Sequence, residues 1–189
     1  MIFGITGGTG CGKTTALEAL HSLGGVCLDC DAIYHDLLKT DKALLAAIEG
    51  RFPGVVKAGQ LDRKTLGSRV FADPAALADL NAITHAAVKQ KVLELLPKDG
   101  TPTAIDAIGL FESGLDRLCG VTVGILAPKA DRLRRIMARD GIPEGYAQMR
   151  LDAQPEDGYF REKCDYILEN TGTESEFRRK SLDFFQKFL

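Results

Sequence analysis

The sequence lacks any apolar run long enough to cross a membrane, and it lacks an excess of positive charge. A spanning helix needs about 20 consecutive apolar residues, and no run here approaches that length. The 24 Lys and Arg residues face 26 Asp and Glu residues, for a formal net charge of −2, so nothing favours nucleic acid or an anionic membrane as a partner. The amino terminus also lacks the basic segment of a signal peptide. We therefore expect a cytoplasmic protein with no membrane or nucleic-acid partner, and the sequence indicates no obligate protein partner.

Cysteine is scarce and irregularly spaced. The five cysteines are an odd number without the spacing of a disulfide framework, which favours reduced cytosolic thiols. Cys27 and Cys30 form a single C-x-x-C pair, whereas a redox or zinc site of this kind needs a second pair or a matching fold context. Neither is evident, so we do not expect a metal or redox centre there.

The composition is that of an ordinary globular protein. The 189 residues are 45% hydrophobic and 26% charged, and they show no internal repeat or low-complexity tract. This length is enough for one α/β domain with an insertion and a sizeable core.

The stretch Gly7–Thr14 fits G-x-x-x-x-G-K-[ST], the P-loop pattern. Backbone N–H groups of such a loop and the positive end of the next helix make a concave anion site. Lys13 is expected to reach the β- and γ-phosphates of a nucleotide, and the Thr14 hydroxyl to ligate Mg²⁺. Residues 1–6 read as a short buried parallel strand and residues 14–23 as an amphipathic helix. This strand–loop–helix setting is the one that the motif requires.

Cys11 lies inside this phosphate loop, near a helix N-terminus. Such a position lowers a thiol pKa. We therefore predict a reactive thiol whose oxidation blocks nucleotide binding.

Two later strands end in carboxylates. Residues 25–28 form a second strand that leads into Asp29-Cys30-Asp31, and residues 103–107 form a third that contains Asp106. Ligands of open α/β sheets bind beyond the carboxyl ends of the strands, so Asp31 is a candidate base or metal ligand. It is equally a candidate N-cap of the following helix, as are Asp29 and Cys30. Asp106 is a candidate Mg²⁺ ligand through water, as a Walker-B aspartate is.

Residues 32–96 are expected to be almost wholly helical. Apolar periodicity predicts helices over 32–38, 42–50, about 61–71 and 74–96, with residues 54–62 as a glycine-containing loop. This is too much helix for one crossover between parallel strands. We interpret the segment as an inserted substrate domain.

A basic helix follows the fourth strand, which spans residues 120–127. In helix 129–140, the side chains of Arg132, Arg135 and Arg139 share one face. They are either a solvated surface or a phosphate clamp in a lid that closes over the nucleotide. A second helix, roughly 144–153, carries Arg150, so the pair resembles a kinase lid. A fifth strand at 166–169 and a last helix at about 174–188 complete the chain, with Phe177, Phe184, Phe185 and Phe188 expected in the core.

Together these elements predict an α/β, three-layer P-loop kinase fold with a five-stranded parallel sheet flanked by helices. The expected nucleotide-binding core consists of residues 1–31, 97–128 and 165–189. Residues 32–96 form the expected acceptor domain and residues 129–164 the expected lid.

The motifs in order resemble those of the dephospho-CoA kinase family, and the likeness covers nearly the whole chain. The segments that carry it are Thr6–Thr15, Asp29–Asp31, Leu61–Arg63, Val70–Phe71, Leu80–His85, Leu110–Leu115, Arg139–Gly141, Arg150, Gln154 and Asp165–Asn170. The chain departs from the family pattern at His35, Ala86, Ile108 and Gly109, all in parts expected to face the acceptor.

The resemblance implies ATP with Mg²⁺ as the phosphoryl donor and the ribose 3′-hydroxyl of dephospho-CoA as the acceptor. It implies that Asp31 is the catalytic base and that Lys13 and Arg139 stabilise the transferring group, with Arg135 and Arg150 assisting from the lid. The implied ATP site is Gly8, Gly10, Cys11, Gly12, Lys13, Thr14, Thr15, Arg139 and Asn170. The implied acceptor site is Asp31, Asp62, Arg63, His85 and Glu112, and the implied metal ligands are Thr14 and Asp106.

Two other functions fit parts of the sequence. A kinase for a nucleoside or another small hydroxyl acceptor would share the core and lid and differ in residues 32–96. A GTPase is more remote: Asp106–Gly109 fits D-x-x-G, but Pro128–Asp131 departs from N-K-x-D by placing proline where the asparagine side chain is needed. The two motifs are also too close together for a GTPase layout.

Overall fold

A computed structural model describes all residues of the chain, 1–189. The strands are β1 (Ile2–Thr6), β2 (Val26–Asp29), β3 (Val56–Lys57), β4 (Gln60–Leu61), β5 (Thr103–Asp106), β6 (Val121–Leu126) and β7 (Tyr166–Glu169). The α-helices are α1 (Lys13–Ser22), α2 (Cys30–Thr40), α3 (Lys42–Arg51), α4 (Arg63–Val70), α5 (Pro74–Leu95), α6 (Lys129–Asp140), α7 (Glu144–Asp152), α8 (Asp157–Lys163) and α9 (Glu174–Phe185).

The predicted five-stranded parallel sheet flanked by helices is confirmed, with strand order β2-β5-β1-β6-β7. β1 lies in the middle, parallel to β5 on one side and to β6 on the other. The chain leaves β1 for α1 and β2, and it returns to the other side of β1 only with β6. The carboxyl end of β1 is therefore the place where the direction of winding reverses, which is where open α/β sheets bind ligands.

Apolar β1 residues anchor the sheet to α9. Phe3 and Ile5 are fully buried, and the Phe3 ring meets those of Phe185 and Phe188 edge-on at centroid distances of 5.0 and 5.7 Å. Phe177 and Phe184 are also buried, as predicted from the sequence. This packing fixes the strand from which the phosphate loop emerges.

The chain divides into two compact units. One contains Met1–Leu28 and Pro97–Leu189, and the other contains Asp29–Leu96. In the second unit the long helix α5 packs against α2, α3 and α4. Asp73 caps α5 by accepting a hydrogen bond from Ala75 N, and Pro74 occupies the start of the helix, as the sequence predicts.

Residues 54–62 were expected to be a loop, and this expectation is wrong. β3 and β4 form a two-stranded antiparallel ribbon there. Its two-residue connection is Ala58-Gly59, with φ values of 50° and 76°. Positive φ at both positions suits a tight hairpin turn, but alanine rarely adopts positive φ, so Ala58-Gly59 is not a pattern that predicts a hairpin. Helix α8 was also not predicted.

No helix in the structure combines the length and the apolarity needed to span a bilayer.

Candidate active site

The phosphate loop follows β1 and adopts backbone angles that favour glycine. The φ angles are 143° at Gly7, 80° at Gly10 and 101° at Gly12. A side chain at Gly7 would collide with the Ile125 carbonyl oxygen, so the loop also needs glycine for close packing. Lys13 begins α1 and its Nζ donates to the Gly7 carbonyl oxygen at 3.0 Å. The ammonium is thus held across the mouth of the loop.

Two arginines of α6 donate to carbonyl oxygens of this loop. Arg135 Nη1 donates to Gly10 O at 3.1 Å, and Arg132 Nε donates to Thr9 O at 3.0 Å. The Arg132 side chain is buried. Part of the basic face predicted for this helix therefore contacts the phosphate loop, and only part of it faces solvent.

Gln154, just beyond α7, completes these contacts. Its Oε1 accepts from Thr9 N and from Arg132 Nη2, both at 2.8 Å, and its Nε2 donates to Thr9 Oγ1 at 2.6 Å. Gln154 thereby holds both the backbone and the hydroxyl of Thr9, although the two residues are far apart in the chain.

Asn170 holds the far end of the loop from the segment after β7. It is buried, and its Nδ2 donates to the Cys11 carbonyl oxygen at 3.0 Å. Its Oδ1 is buried without a hydrogen-bond partner, so an acceptor remains available beside the loop. Asn170, which the family resemblance places in the ATP site, thus contacts the phosphate loop.

The predicted low pKa at Cys11 is wrong. The side chain points into the core and is 1% exposed. Burial raises the thiol pKa, and the opposing effects of Lys13 and Arg132 do not overcome it. A buried thiol with a raised pKa is inert toward oxidants, because the reactive thiolate is disfavoured.

The two predicted metal ligands lie at the same end of the sheet. Asp106 ends β5 and pairs in register with Ile5, directly before the phosphate loop. Thr14 lies in the first turn of α1 and its side chain is exposed. A hydroxyl and a carboxylate are hard oxygen donors of the kind that Mg²⁺ prefers.

Arg139 and Arg150 do not contact the loop in this structure. Both donate to the Asp140 carboxylate, Arg139 at 2.7 and 3.0 Å and Arg150 at 2.6 Å. The Arg139 side chain is 60% exposed. The helix face predicted from spacing thus divides, with its first two arginines on the loop and its last one at the surface.

In the second unit, Asp31 lies in the first turn of α2 but does not cap it. The N-cap is Asp29, whose carboxylate accepts from Ala32 N at 3.0 Å. The Asp31 side chain is exposed, and only its backbone oxygen is engaged, by His35 Nδ1 at 2.7 Å. Of the three candidate N-caps that the sequence offers, Asp29 is the residue that caps α2.

Three further predicted acceptor residues lie in the same unit. Asp62 caps α4, accepting from Thr65 N at 3.0 Å and Thr65 Oγ1 at 2.8 Å, and it pairs with Lys57 at 2.8 Å. Arg63 is exposed at the start of α4, and His85 is half-buried in α5. The Asp62 carboxylate thus has a structural function, whatever else it contacts.

Glu112 follows β5 in the loop of the first unit and accepts a hydrogen bond from the Tyr159 hydroxyl of α8. Burial and the neighbouring carboxylate raise the Tyr159 pKa, so the phenol stays a donor. The Lys163 ammonium lies over the Tyr159 ring at 5.1 Å. α8 thereby holds the orientation of Glu112.

Arg132 was predicted only as part of a possible phosphate clamp, and Thr9, Gln154 and Tyr159 were given no individual function in the site. The helical spacing of the arginines pointed to Arg132. No pattern in the sequence connects Thr9 to Gln154, because their contact depends on the tertiary fold.

Known proteins are similar to this chain over nearly its whole length. The family model described as dephospho-CoA kinase matches residues 1–176. Among curated relatives, the dephospho-CoA kinase of Thermobifida fusca is 34% identical over 188 residues, covering 97% of this chain and 94% of the relative. That of Anaeromyxobacter dehalogenans is 37% identical over 177 residues, covering 90% and 84%.

Solved structures give the same result. TT1252 from Thermus thermophilus superposes with a TM-score of 0.84 at 33% identity, covering 100% of this chain and 97% of that one. Dephospho-CoA kinase from Campylobacter jejuni gives 0.71 at 32% identity, covering 99% and 96%. A shikimate kinase from Acinetobacter baumannii, at 18% identity and a TM-score of 0.53, shares the fold alone. The chain belongs to the dephospho-CoA kinase family.

Proposed function

We propose that this protein transfers the γ-phosphoryl group of ATP to the ribose 3′-hydroxyl of dephospho-CoA, yielding CoA and ADP. The observation that carries the proposal is the similarity, over nearly the whole chain, to proteins named for this activity. The phosphate loop of the first unit supplies the chemistry that such a reaction needs.

The phosphates of ATP bind at residues 7–15 in this proposal. The backbone N–H groups of the loop and the N-terminus of α1 attract them. Lys13 leaves its bond with Gly7 O and neutralises charge on the transferring group. Asn170 holds the Cys11 carbonyl oxygen and so keeps the far end of the loop in place for the phosphates.

The residues present fit Mg²⁺. Thr14 would ligate the ion directly and Asp106 through water, and both lie at the carboxyl end of the central strands. When bound, the ion neutralises charge on the β- and γ-phosphate oxygens.

Asp31 is the proposed base. The acceptor hydroxyl does not ionise at neutral pH, and a positioned carboxylate that accepts or orients its proton contributes about 10²- to 10⁴-fold. Since Asp29 serves as the helix cap, the Asp31 carboxylate is available for this function.

The acceptor contacts are proposed to come from Asp62, Arg63, His85 and Glu112. Arg63 and His85 offer donors for phosphate groups of the acceptor, and Glu112 offers acceptor oxygens for its hydroxyls. Arg139 and Arg150 would leave Asp140 and stabilise charge on the transferring phosphoryl group. We also infer a cytoplasmic location, where ATP is supplied and free thiols persist.

The test is ATP-dependent phosphorylation of dephospho-CoA, with adenosine and pantetheine phosphate as control acceptors. We expect turnover on dephospho-CoA alone. Tight ATP binding without turnover on dephospho-CoA would mean that the second unit serves another hydroxyl acceptor.

Lys13→Ala provides the matched loss of function. The variant should lose turnover on dephospho-CoA by about 10³-fold or more while keeping its melting temperature, because the Lys13 side chain makes only one hydrogen bond within the protein. Lys98→Ala, which removes an exposed lysine outside the phosphate loop, should behave as the wild type. Appreciable activity in Lys13→Ala would refute its assigned function.

A further inference from the structure

Arg132 is a buried cation with no carboxylate partner. Its side chain belongs to the buried set, with the residue 8% exposed. Its hydrogen bonds go to neutral oxygens, Thr9 O and Gln154 Oε1, and it forms none of the ion pairs in the structure. A buried charge without a counter-ion is costly to a fold, so its retention calls for an explanation.

The acidic groups of the adjoining cavity do not supply that counter-ion. Asp152, Glu156 and Asp157 line the same cavity as Arg132, which has a volume of ≈ 420 Å³. None of them lies within 4.0 Å of the guanidinium, and Asp152 is already paired with Lys129 at 2.7 Å. The positive charge is therefore not neutralised within the protein.

The guanidinium is instead directed at the phosphate loop. Arg132 lies so close to Gly8 that a side chain there would collide with Nη2. Its backbone also packs on Gly10. Both glycines belong to the loop that is proposed to hold the nucleotide phosphates, so the charge lies directly behind the anion site.

We propose that Arg132 is a built-in counter-cation of the phosphate loop, kept in place by Gln154, and that the phosphates of the bound nucleotide are its missing counter-ion. This inference rests on the proposed nucleotide site but not on the identity of the acceptor. It differs from the action of a closing lid, because Arg132 contacts the loop in this structure, whereas Arg139 is paired at the surface with Asp140.

The contact pattern assigns Gln154 a positioning function. Its Oε1 receives both Thr9 N and Arg132 Nη2. It therefore joins the cation to the loop backbone and holds the loop in one conformation before the nucleotide arrives. A neutral amide is needed here, since a carboxylate would neutralise the arginine and leave less positive charge for the phosphates.

This requirement suggests the substitution Gln154→Glu. The change keeps the shape and the acceptor oxygen, and it gives Arg132 a charged partner at hydrogen-bond distance. We expect the nucleotide-free variant to be as stable as the wild type or more stable. We expect its affinity for ATP and inorganic pyrophosphate to fall about ten- to a hundredfold, the range for a charge-assisted hydrogen bond.

Arg132→Gln removes the positive charge that Gln154→Glu would neutralise. Affinity for ATP and pyrophosphate should fall by a similar factor, while adenosine binding, measured by the same calorimetric titration, should change less than about twofold. Arg134→Gln is the matched control, since Arg134 is 75% exposed on the same helix and paired with Asp131. It should leave all three affinities unchanged.

The outcomes separate a phosphate counter-cation from a structural residue. A structural network would make Gln154→Glu lower the melting temperature without a selective effect on phosphate ligands, and this would overturn the proposal. Equal losses for adenosine and ATP would also overturn it. If Arg132→Gln does not fold, Gln154→Glu decides alone. No acceptor is used, so the result stands even if the protein phosphorylates something other than dephospho-CoA.

Discussion

Asp31 and Asp29 show how neighbouring carboxylates divide two functions. Asp29 ends β2 and Asp31 lies two residues later, and the sequence left both as candidate caps of α2. The structure gives the cap to Asp29, whose oxygen accepts from Ala32 N. The Asp31 carboxylate makes no capping bond and stays exposed. The Asp31 side chain can therefore be replaced without removing the hydrogen bond that caps α2.

Asp31→Asn is expected to lower kcat by about 10²- to 10⁴-fold, because the amide cannot accept the proton of the acceptor hydroxyl. The KM for ATP and the melting temperature should change little. Steady-state kinetics with dephospho-CoA and thermal unfolding measure these effects. Asp36→Asn, an exposed substitution later in the same helix, is the control. A fall in melting temperature that matches the loss of activity would point to a structural aspartate instead.

Arg139→Ala should slow phosphoryl transfer by about 10³-fold, the usual scale for an arginine that stabilises the transferring group. Stability should barely change, since its bonds to Asp140 are at the surface and exposed ion pairs contribute little. Single-turnover kinetics and thermal unfolding distinguish the two effects. Arg134→Ala, at a position of α6 that is also exposed, should retain activity. A lower melting temperature with normal transfer would refute the catalytic assignment.

At the scale of elements, α6 serves both the phosphate loop and the surface. Its first two loop-facing arginines, Arg132 and Arg135, donate to carbonyl oxygens of the loop. One turn beyond Arg135, Arg139 lies outside these contacts and pairs with Asp140. Helical spacing predicts that the three share a face, but only tertiary packing decides which part of that face meets the loop.

The ribbon β3–β4 and helix α4 are joined by Asp62. Hydrogen bonds from Lys57 and Thr65 hold the pKa of its carboxyl well below the ordinary value of 3.8. A carboxylate with a lowered pKa stabilises the fold above the unfolded-state pKa, and this stabilisation is lost as the pH falls through and below that value.

Asp62→Asn retains a capping oxygen but removes the charge, so it isolates this effect. We expect the variant to melt below the wild type at pH 7 and the difference to begin to shrink as the pH falls below about 4 and to go on shrinking at lower pH. Thermal unfolding across that range measures it. Lys57→Ala, which removes the partner, should show the same trend with a smaller difference at pH 7. A difference that does not depend on pH would contradict the assignment.

At the scale of the whole molecule, the sequence predicted the sheet, the P-loop and most helices, because each leaves a local signal. The glycine pattern marked the loop at Gly7–Thr14, and apolar periodicity marked the helices. The ribbon at 56–61 was missed because its turn uses alanine at positive φ. The raised pKa of Cys11 was missed because sequence position shows a helix N-terminus but not burial in the core.

The contacts that could not be predicted are those made across long separations. Thr9 and Gln154 are 145 residues apart, and Asn170 and Cys11 are 159 apart. No periodicity connects such pairs. These groups meet only because the tertiary fold brings Gln154 and Asn170 to the phosphate loop, so the support of the loop is a property of the whole first unit.

The division into two compact units gives the last prediction, on where each substrate binds. The first unit contains the phosphate loop with Arg135 and Asn170, and the second contains Asp31, Arg63 and His85. Amide hydrogen exchange of the full chain measures protection by each ligand separately. ATP alone should protect residues 7–15, the part of α6 that contacts them and the segment around Asn170. Dephospho-CoA alone should protect residues within 29–96, since the proposed acceptor contacts lie chiefly there. Protection by dephospho-CoA confined to 129–164 would contradict the assignment of residues 32–96 as the acceptor domain, even if the enzyme phosphorylates dephospho-CoA normally.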